Sequence, residues 1–382
     1  MSDALAMIGH TLAAYRDKPH EAARSMPGAF YTAPEMVDVE RDWLFAREWV
    51  CAGRAEEVSQ PGDWFSYTIA GEPVLVVHGA DGRIRALSNV CRHRGMVVAR
   101  GSGHADRFAC PYHAWTYDTT GQLIGAPYIA ERPDFDRKTC RLPALSCEIW
   151  QGFIMVNLTP DAAPFAPQVA GLAPMIANYH LESMRLRYLA TETWATNWKS
   201  LMENFMEGYH LSPLHRRTLH KVNPTKLCRH FPPGEGYFGY QVGFAAHIPG
   251  GAQGHADLSE EEARTCVMVG LPPGFAIGGA GDYSSFLCLE PQAADSVRVK
   301  MGLIFQGEDW PQTVVDRAIA LFQETMAEDK DVLVAMMHGL GARHHATGPL
   351  APAAYEGPIW DFTQYLARRL APAFAERAQA AE

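Results

Sequence analysis

The sequence lacks any apolar run near the roughly 18 residues that a membrane-spanning helix needs. Residues 1–18 show no basic stretch followed by an apolar run, so no export signal is visible. We therefore expect a cytoplasmic protein without a membrane anchor. Basic clusters are also missing. The net charge of −10, from 33 basic and 43 acidic residues, argues against nucleic acid as a partner.

Disulfide frameworks and dinucleotide sites are not expected either. The eight cysteines are scattered along 382 residues, which favours reduced thiols, some of them metal ligands. Nothing in the chain is predicted to bind a flavin or a nicotinamide. Any redox chemistry would therefore draw its electrons from a separate protein.

Length and residue pattern predict two domains after a helical lead-in. Residues 1–45 are predicted to pack on the catalytic domain. Residues 46–160 read as a small β domain, because short strands alternate with turn signals such as Asp81-Gly82. The four prolines from Pro160 to Pro174 predict a linker. Residues 161–382 are predicted to form the catalytic domain.

The catalytic part combines strand and helix patterns, which predicts an α+β fold. A helix is expected over 198–211 and a long one over 311–340, and a last helix over 360–370 should end or kink at Pro372. The predicted strands are 237–248, 265–270, 283–290 and 296–305.

Two Cys/His pairs lie in the predicted β domain. Cys91-Arg-His93 and Cys110-Pro-Tyr-His113 each follow a strand, with sixteen residues between the pairs. Two cysteines and two histidines could hold zinc tetrahedrally. They could equally hold a [2Fe–2S] cluster with the cysteines on one iron and the histidines on the other, and the hairpin-rich context favours the cluster.

A second set of ligand-type side chains lies between Asn197 and His215. If residues 203–212 are helical, one face of the helix carries four of these side chains, Glu203, Asn204, Glu207 and His210. Pro213 should bend the chain and bring His215 back towards His210. Two histidines with one carboxylate form the triad that binds non-haem iron and leaves positions open for O2. The candidates for that carboxylate on the long helix are Glu324, Glu328, Asp329 and Asp331.

With the run Cys110-Pro-Tyr-His-Ala-Trp-Thr-Tyr117, both Cys/His pairs resemble the Rieske motif. Roughly from residue 30 to 375, the chain resembles the α subunit of a Rieske non-haem iron oxygenase. The resemblance implies a Rieske β domain followed by a helix-grip-like catalytic domain with an antiparallel sheet and long helices. It implies that Cys91, His93, Cys110 and His113 bind the cluster, which Trp115 would cover.

The same resemblance implies roles in the second set. Asn204, Glu207, His210 and His215 match the catalytic motif, in which the two histidines bind iron. Asn204 is expected near the iron. The third ligand is expected to be Asp329, which follows Glu328 and precedes Gly339 by ten residues; Asp331 is the alternative. Glu207 is expected to link the iron site to the cluster of a neighbouring subunit in a head-to-tail homotrimer.

Aromatic ring hydroxylases usually have aspartate at the position of Glu207. With glutamate there, the chain resembles the choline, carnitine and glycine betaine oxygenases and the betaine demethylases. We therefore expect hydroxylation or N-demethylation of a small, quaternary ammonium substrate. O2 would be the oxidant, with electrons from NAD(P)H through a separate reductase, with or without a ferredoxin. Hydroxylation, dioxygenation or O-demethylation of an aromatic acid is the alternative reaction, and an electron carrier without oxygenase activity is the alternative class.

Overall fold

The computed structural model describes residues 2–129, 132–248 and 254–379. The chain divides into two compact units, Phe45–Phe165 and Met1–Leu44 with Ala166–Glu382. No helix in the described ranges combines the length and the apolar character that crossing a membrane requires.

The unit Phe45–Phe165 is built from ten strands joined mostly by tight turns. Seven of them form an antiparallel sheet in the order β1-β10-β9-β4-β3-β2-β5, and β6, β7 and β8 form a small antiparallel sheet. The strands are β1 Val50–Arg54, β2 Asp63–Ile69, β3 Glu72–His78, β4 Ile84–Ser88, β5 Ser102–His104, β6 Arg107–Ala109, β7 Thr116–Asp118, β8 Leu123–Gly125, β9 Ala144–Trp150 and β10 Phe153–Asn157.

The other unit combines a seven-stranded antiparallel sheet with helices, which confirms the predicted α+β class. Its strand order is β11-β17-β16-β15-β14-β13-β12. These strands are β11 Arg185–Trp194, β12 Cys228–His230, β13 Phe238–Gly243, β14 Thr265–Leu271, β15 Phe275–Gly279, β16 Tyr283–Ala293 and β17 Ser296–Phe305.

The α-helices are α1 Asp3–Tyr15, α2 Ala29–Thr32, α3 Pro34–Glu40, α4 Phe165–Gln168, α5 Ala173–Ile176, α6 Trp198–Phe205, α7 Gln312–Leu340 and α8 Ala353–Gln379. Short 3-10 turns cover His20–Ala22, Ala55–Val58, Arg137–Thr139, Ala170–Leu172, Ala177–Tyr179, Leu219–Lys221, Thr225–Leu227 and Glu262–Arg264, and a π turn covers Arg41–Phe45.

The predicted ends of two helices, α8 and α6, are wrong. Helix α8 continues through Pro372, because Ala373 and Phe374 are buried and the Phe374 ring lies against Gly9 of α1. Packing of this kind outweighs the single hydrogen bond that an interior proline removes. The predicted linker also contains two short helices, α4 and α5.

Helix α6 ends at Phe205, six residues earlier than expected. Gly208 lies so close to Cys228 that a Cβ atom there would be 2.2 Å from the Cys228 Sγ atom. The Gly208 amide donates to the carbonyl oxygen of Tyr355 at 3.0 Å. Tertiary contacts therefore replace the helical hydrogen bonds, and His210 and His215 lie on an irregular segment instead of a bent helix.

A nucleotide-binding spacing also occurs by chance in this unit. Gly234-Glu-Gly-Tyr-Phe-Gly239 has the form Gly-x-Gly-x-x-Gly, but it leads into strand β13. The dinucleotide motif needs a helix N-terminus after the glycines to bind the pyrophosphate. This segment therefore does not support a dinucleotide site.

A buried ion pair connects the N-terminal segment to α6. Lys199 and Glu40 are each about 1% exposed or less, and the Lys199 Nζ atom donates to Glu40. Trp198 Nε1 donates to the same carboxylate at 2.6 Å. Burial lowers the pKa of Lys199, although Glu40 opposes this shift. Removing one charge would leave the other buried without its counter-ion.

We expect Lys199→Met to lower the free energy of unfolding by about 3–5 kcal/mol, because the Glu40 carboxylate loses its counter-ion. Chemical denaturation followed by circular dichroism measures this loss. The double variant Glu40→Gln/Lys199→Met should recover much of it. A single variant as stable as the parent would show that the pair contributes little.

Candidate iron–sulfur and mononuclear iron sites

Two loops with the same pattern of backbone hydrogen bonds bring the Cys/His pairs together. Cys91 and Cys110 each donate their amide to the carbonyl five residues on, both at 2.8 Å. Each also accepts a bond from the amide four residues on, at 3.0 and 2.9 Å. That fourth residue has positive φ in both loops, +76° at Gly95 and +57° at Ala114. Gly95 adopts this conformation easily because it has no side chain, and Ala114 adopts it despite its Cβ atom.

The four ligand-type side chains converge between these loops. Cys91 and Cys110 are buried, whereas His93 and His113 are exposed. The two Nδ1 atoms of the histidines lie 3.1 Å apart. The cysteine side of the site is therefore enclosed, and its histidine side is open to the surface.

Aromatic side chains surround the pairs. The buried Trp115 ring stacks on the His93 ring, with centroids 4.8 Å apart and an interplanar angle of 9°. The Tyr117 hydroxyl lies 3.3 Å from Cys91 Sγ and accepts a 3.0 Å bond from the Arg92 amide. A hydroxyl beside a ligand sulfur adjusts the potential of a cluster. Sequence reasoning did not assign this role to Tyr117, whose only signal was its place at the end of the motif.

The donor set fits a Rieske cluster. Burial raises the pKa of the Cys110 thiol, so this environment disfavours a thiolate unless a cation is present. Iron supplies that charge, and convergent imidazoles complete the Cys2His2 set.

The second set of side chains converges in the unit that contains the large helices. His210, His215 and Asp329 each offer one ligand atom, and these atoms lie within 4.8 Å of one another. Asp329 Oδ1 is 3.1 Å from His215 Nε2 and 3.7 Å from His210 Nε2. Asp331 is exposed and does not belong to this group.

A carboxylate contacts the far nitrogen of each imidazole. Glu207 contacts His210 Nδ1, and Glu328 Oε2 lies 2.8 Å from His215 Nδ1. Thr218 donates to the same Glu328 oxygen at 2.6 Å. Such contacts fix the ring orientation and leave both Nε2 atoms pointing towards Asp329. In the sequence, Glu328 was a candidate ligand and the acid that precedes Asp329, and its contact with the Nδ1 atom of His215 was not predicted.

Asn204 contacts the triad, whereas Glu203 contacts a different part of the protein. Asn204 Nδ2 donates to Asp329 Oδ1 at 3.2 Å, so its amide helps to orient the carboxylate. Glu203 points elsewhere and accepts a 2.9 Å bond from the Tyr31 hydroxyl. The face that Glu203 and Glu207 were expected to share does not form, because α6 ends between them.

Two observations indicate that His210, His215 and Asp329 are suited to bind a metal ion. His215 is fully buried, and its Nε2 atom makes no well-aligned hydrogen bond with any described residue, although Asp329 Oδ1 lies 3.1 Å away. Burial disfavours protonation of His210, but Glu207 and Asp329 outweigh it and raise the pKa of His210. The site therefore attracts positive charge. Two imidazoles and one carboxylate on one side of an ion are typical of mononuclear non-haem iron.

A cavity of about 340 Å³ opens onto the triad. The floor of the cavity is formed by one residue from each of the five neighbouring strands β13 to β17. These residues are successive cross-strand partners, namely Tyr240, Met268, Gly278, Ser285 and Leu303. Gly278 and Ser285, the small residues in the middle of the floor, leave room for the cavity. A Cβ atom at position 278 would lie 2.7 Å from the Ser285 Oγ atom.

Aromatic side chains form part of the cavity wall. They are Phe205, Tyr240, Phe244, Tyr283 and Phe322. Four other aromatic residues from the same stretches of sequence are not among the lining residues, namely Tyr237, Phe238, Phe275 and Phe286.

Other histidines take part in local contacts. His230 Nε2 lies 2.6 Å from Asp361, which also contacts His20 at 3.3 Å. Asp361 therefore contacts histidines from two separate segments of the chain. His255 similarly lies 3.4 Å from Asp257.

Comparisons with known families match both parts of the chain. Residues 48–143 match the family described as the Rieske [2Fe-2S] domain. Residues 177–372, more than half of the chain, match the family described as the ring hydroxylating alpha subunit (catalytic domain). The chain therefore belongs to the Rieske non-haem iron oxygenases as an α subunit. It is an oxidoreductase whose cofactors are a Rieske [2Fe–2S] cluster and a mononuclear iron.

Relatives and solved structures extend the similarity. The carnitine monooxygenase oxygenase subunit of Acinetobacter baumannii is 27% identical over 332 residues, covering 85% of this chain and 87% of the relative. The glycine betaine monooxygenase oxygenase subunit of Pseudomonas aeruginosa is 32% identical over 196 residues, covering 51% and 46%. A solved quaternary ammonium Rieske monooxygenase has the same fold, with a TM-score of 0.80 at 23% identity, covering 91% and 96%.

We expect Asp329→Ala to lose the mononuclear iron while the visible spectrum of the cluster persists, because only the triad loses a ligand. Metal analysis and absorption spectroscopy measure the two separately. Asp331→Ala is the matched control on the same helix and should keep full iron. Iron loss from the Asp331 variant alone would contradict the assignment.

Burial raises the pKa of Glu203 to about 7, a shift that Tyr31 and Lys199 oppose and Glu356 supports. The folded state then binds more protons than the unfolded state between pH 4.5 and about 7. Stability must fall as pH rises through this window. Because of Glu203, the free energy of unfolding of the parent should decrease by on the order of 2 kcal/mol between pH 5 and pH 7.5. We expect Glu203→Gln to remove this decrease, and denaturation at the two pH values measures it. The same pH slope in parent and variant would contradict this.

Proposed function

We propose that this chain is the terminal component of a monooxygenase that hydroxylates or N-demethylates a small methylated ammonium compound. The carnitine and glycine betaine relatives are named for substrates of this kind. The observation that carries the proposal is the cavity that opens onto His210, His215 and Asp329, because a bound substrate would lie beside the ligand triad.

The geometry supports a division of roles among the residues. The residues that would hold the [2Fe–2S] cluster are Cys91, His93, Cys110 and His113, and those that would hold the mononuclear iron are His210, His215 and Asp329. When bound, the cluster supplies electrons one at a time, and the mononuclear iron activates O2. Trp115 would orient His93 by stacking, and Asn204 would orient Asp329.

The reaction balances with O2 as oxidant. One oxygen atom enters a C–H bond of the substrate and the other becomes water, with two electrons and two protons from the reductant. If the carbon is an N-methyl group, the N–CH2–OH product breaks its C–N bond and releases formaldehyde, leaving the demethylated amine. The mostly apolar cavity wall would limit water near the triad.

Partners follow from the electron supply. We infer a separate reductase fed by NAD(P)H, with or without a ferredoxin, because the sequence predicts no flavin or nicotinamide site. The exposed histidines of the cluster site offer an edge for electron transfer. The solved quaternary ammonium enzyme is described with inter-subunit electron transfer, which supports a head-to-tail homotrimer here. The eight free cysteines support a cytoplasmic location.

Glu207 would position His210 and connect the iron site to the cluster of the next subunit. Its carboxylate contacts His210 Nδ1 and accepts from the amides of Tyr209 and His210. A second imidazole reaching this carboxylate would complete a polar route for electrons.

We expect Glu207→Gln to keep both metal sites and to lower substrate-coupled O2 consumption by about 10- to 100-fold, since the neutral amide orients both imidazoles less well. Iron content, cluster spectrum and oxygen uptake measure this. The exposed Glu261→Gln variant is the control.

Full turnover by the Glu207 variant would remove the positioning role. The function itself is tested with reduced holoenzyme, O2 and methylated ammonium compounds. Formaldehyde or a hydroxylated product is expected, and the absence of both with every such compound would contradict it.

A further inference from the structure

A second group of two histidines and one carboxylate lies in the same compact unit as the ligand triad. His20, His230 and Asp361 each offer one ligand atom, and these atoms lie within 4.8 Å of one another. His20 begins a 3-10 turn, His230 ends strand β12, and Asp361 lies on helix α8. The three side chains therefore come from segments that are distant in the sequence.

This group has nearly the same geometry as the triad. The His20 and His230 ring centroids are 5.0 Å apart with the rings at 71°, compared with 5.0 Å and 65° for the two triad histidines. Both Nε2 atoms face the carboxylate of Asp361, at 3.3 Å from His20 and 2.6 Å from His230. The corresponding distances in the triad are 3.7 and 3.1 Å. The second group is therefore also arranged to hold a metal ion.

The distances between the ligand atoms suit zinc. Ligand atoms bound at about 2.0–2.1 Å from a tetrahedral zinc ion lie about 3.3 Å from one another. The distance from His20 to Asp361 already has this value, and the distance from His230 would open by about 0.7 Å. Imidazole and carboxylate are usual zinc ligands, and they bind Zn2+ more tightly than Fe2+. The His20 side chain is 30% exposed, so water can reach a fourth position.

The charge of Asp361 also favours a cation at this place. Its side chain is only 5% exposed, and its ion-pair partners within the described ranges are His20 and His230. Neutral imidazoles can satisfy the hydrogen bonds of this carboxylate, but they leave its charge uncompensated. A divalent cation held by all three side chains would compensate it.

Hydrogen bonds hold the N-terminal segment in place before His20. Gln364 of α8 accepts from the amide of Asp17 at 2.7 Å, and Trp360 Nε1 donates to the carbonyl of Lys18 at 2.9 Å. His20 is thus held beside the face of α8 that carries the carboxylate. A site fixed in this way loses little freedom when a metal ion binds.

The same elements also contact the segment that carries an iron ligand. Gly208 packs against Cys228, which lies two residues before His230 on β12. The Gly208 amide donates to the carbonyl of Tyr355 on α8. An ion that joins β12 to α8 would therefore stabilise the two elements that hold the chain just before His210.

We propose that His20, His230 and Asp361 bind one zinc ion that joins the N-terminal segment, β12 and α8. None of the three residues lines the substrate cavity, so the role of this ion is structural. The proposal concerns a site separate from both iron sites, and it does not depend on the proposed function.

Zinc titration of the iron-loaded holoenzyme tests the site. Isothermal titration calorimetry measures the affinity, and metal analysis after removal of free zinc counts zinc and iron in the same sample. The parent should retain about one zinc ion per chain with its iron content unchanged. Zinc should also raise the midpoint of its chemical denaturation. No zinc uptake, or uptake only with a matching loss of iron, would overturn the proposal.

Variants assign the ion to these ligands. His20→Ala should weaken zinc binding by at least about 100-fold, because loss of a mere hydrogen-bond partner of a ligand already costs about 10- to 100-fold. It should also remove the effect of zinc on the denaturation midpoint. His20→Gln gives the same test if alanine prevents folding, which denaturation without zinc reveals.

The matched control is His180→Ala. His180, His255 and Asp257 form a similar group, but the Asp257 side chain is 58% exposed. This variant should bind zinc as the parent does. Parent-like affinity in the His20 variants, or loss of the ion from the His180 variant alone, would contradict the assignment.

Discussion

The concentration of negative charge around two imidazoles is the constraint on which the catalytic unit depends. His210 and His215 each contact one carboxylate through Nδ1 and face Asp329 through Nε2. Carboxylates grouped in a partly buried site repel one another, whereas each of them is attracted to a divalent cation bound among them. The site is therefore organised for a metal ion.

Helix α7 and the irregular segment after α6 together meet this constraint. Consecutive helical residues point about 100° apart, so Glu328 and Asp329 can contact opposite nitrogens of the same His215 ring. The early end of α6 allows Glu207 to bind the amides of Tyr209 and His210 as well as the His210 ring. The ligand positions thus depend on local hydrogen bonds as much as on the long helix.

Sequence patterns predicted the parts of the molecule that local chemistry determines. The Cys/His pairs, helix α7 and four strands of the second sheet follow from spacing and periodicity. The end of α6 was not predictable, because it depends on Gly208 packing against Cys228, which is distant in the sequence. The contact of Tyr117 with Cys91 likewise exists only after strand pairing.

Quantification of iron and acid-labile sulfide in the purified protein tests the central claim most directly, since that claim is the presence of two separate iron sites in one chain. The account predicts about three iron atoms and two sulfides per chain, from one [2Fe–2S] cluster and one mononuclear ion. A protein with about one metal ion per chain and no sulfide would contradict it, because the Cys2His2 site would then hold a single ion such as zinc.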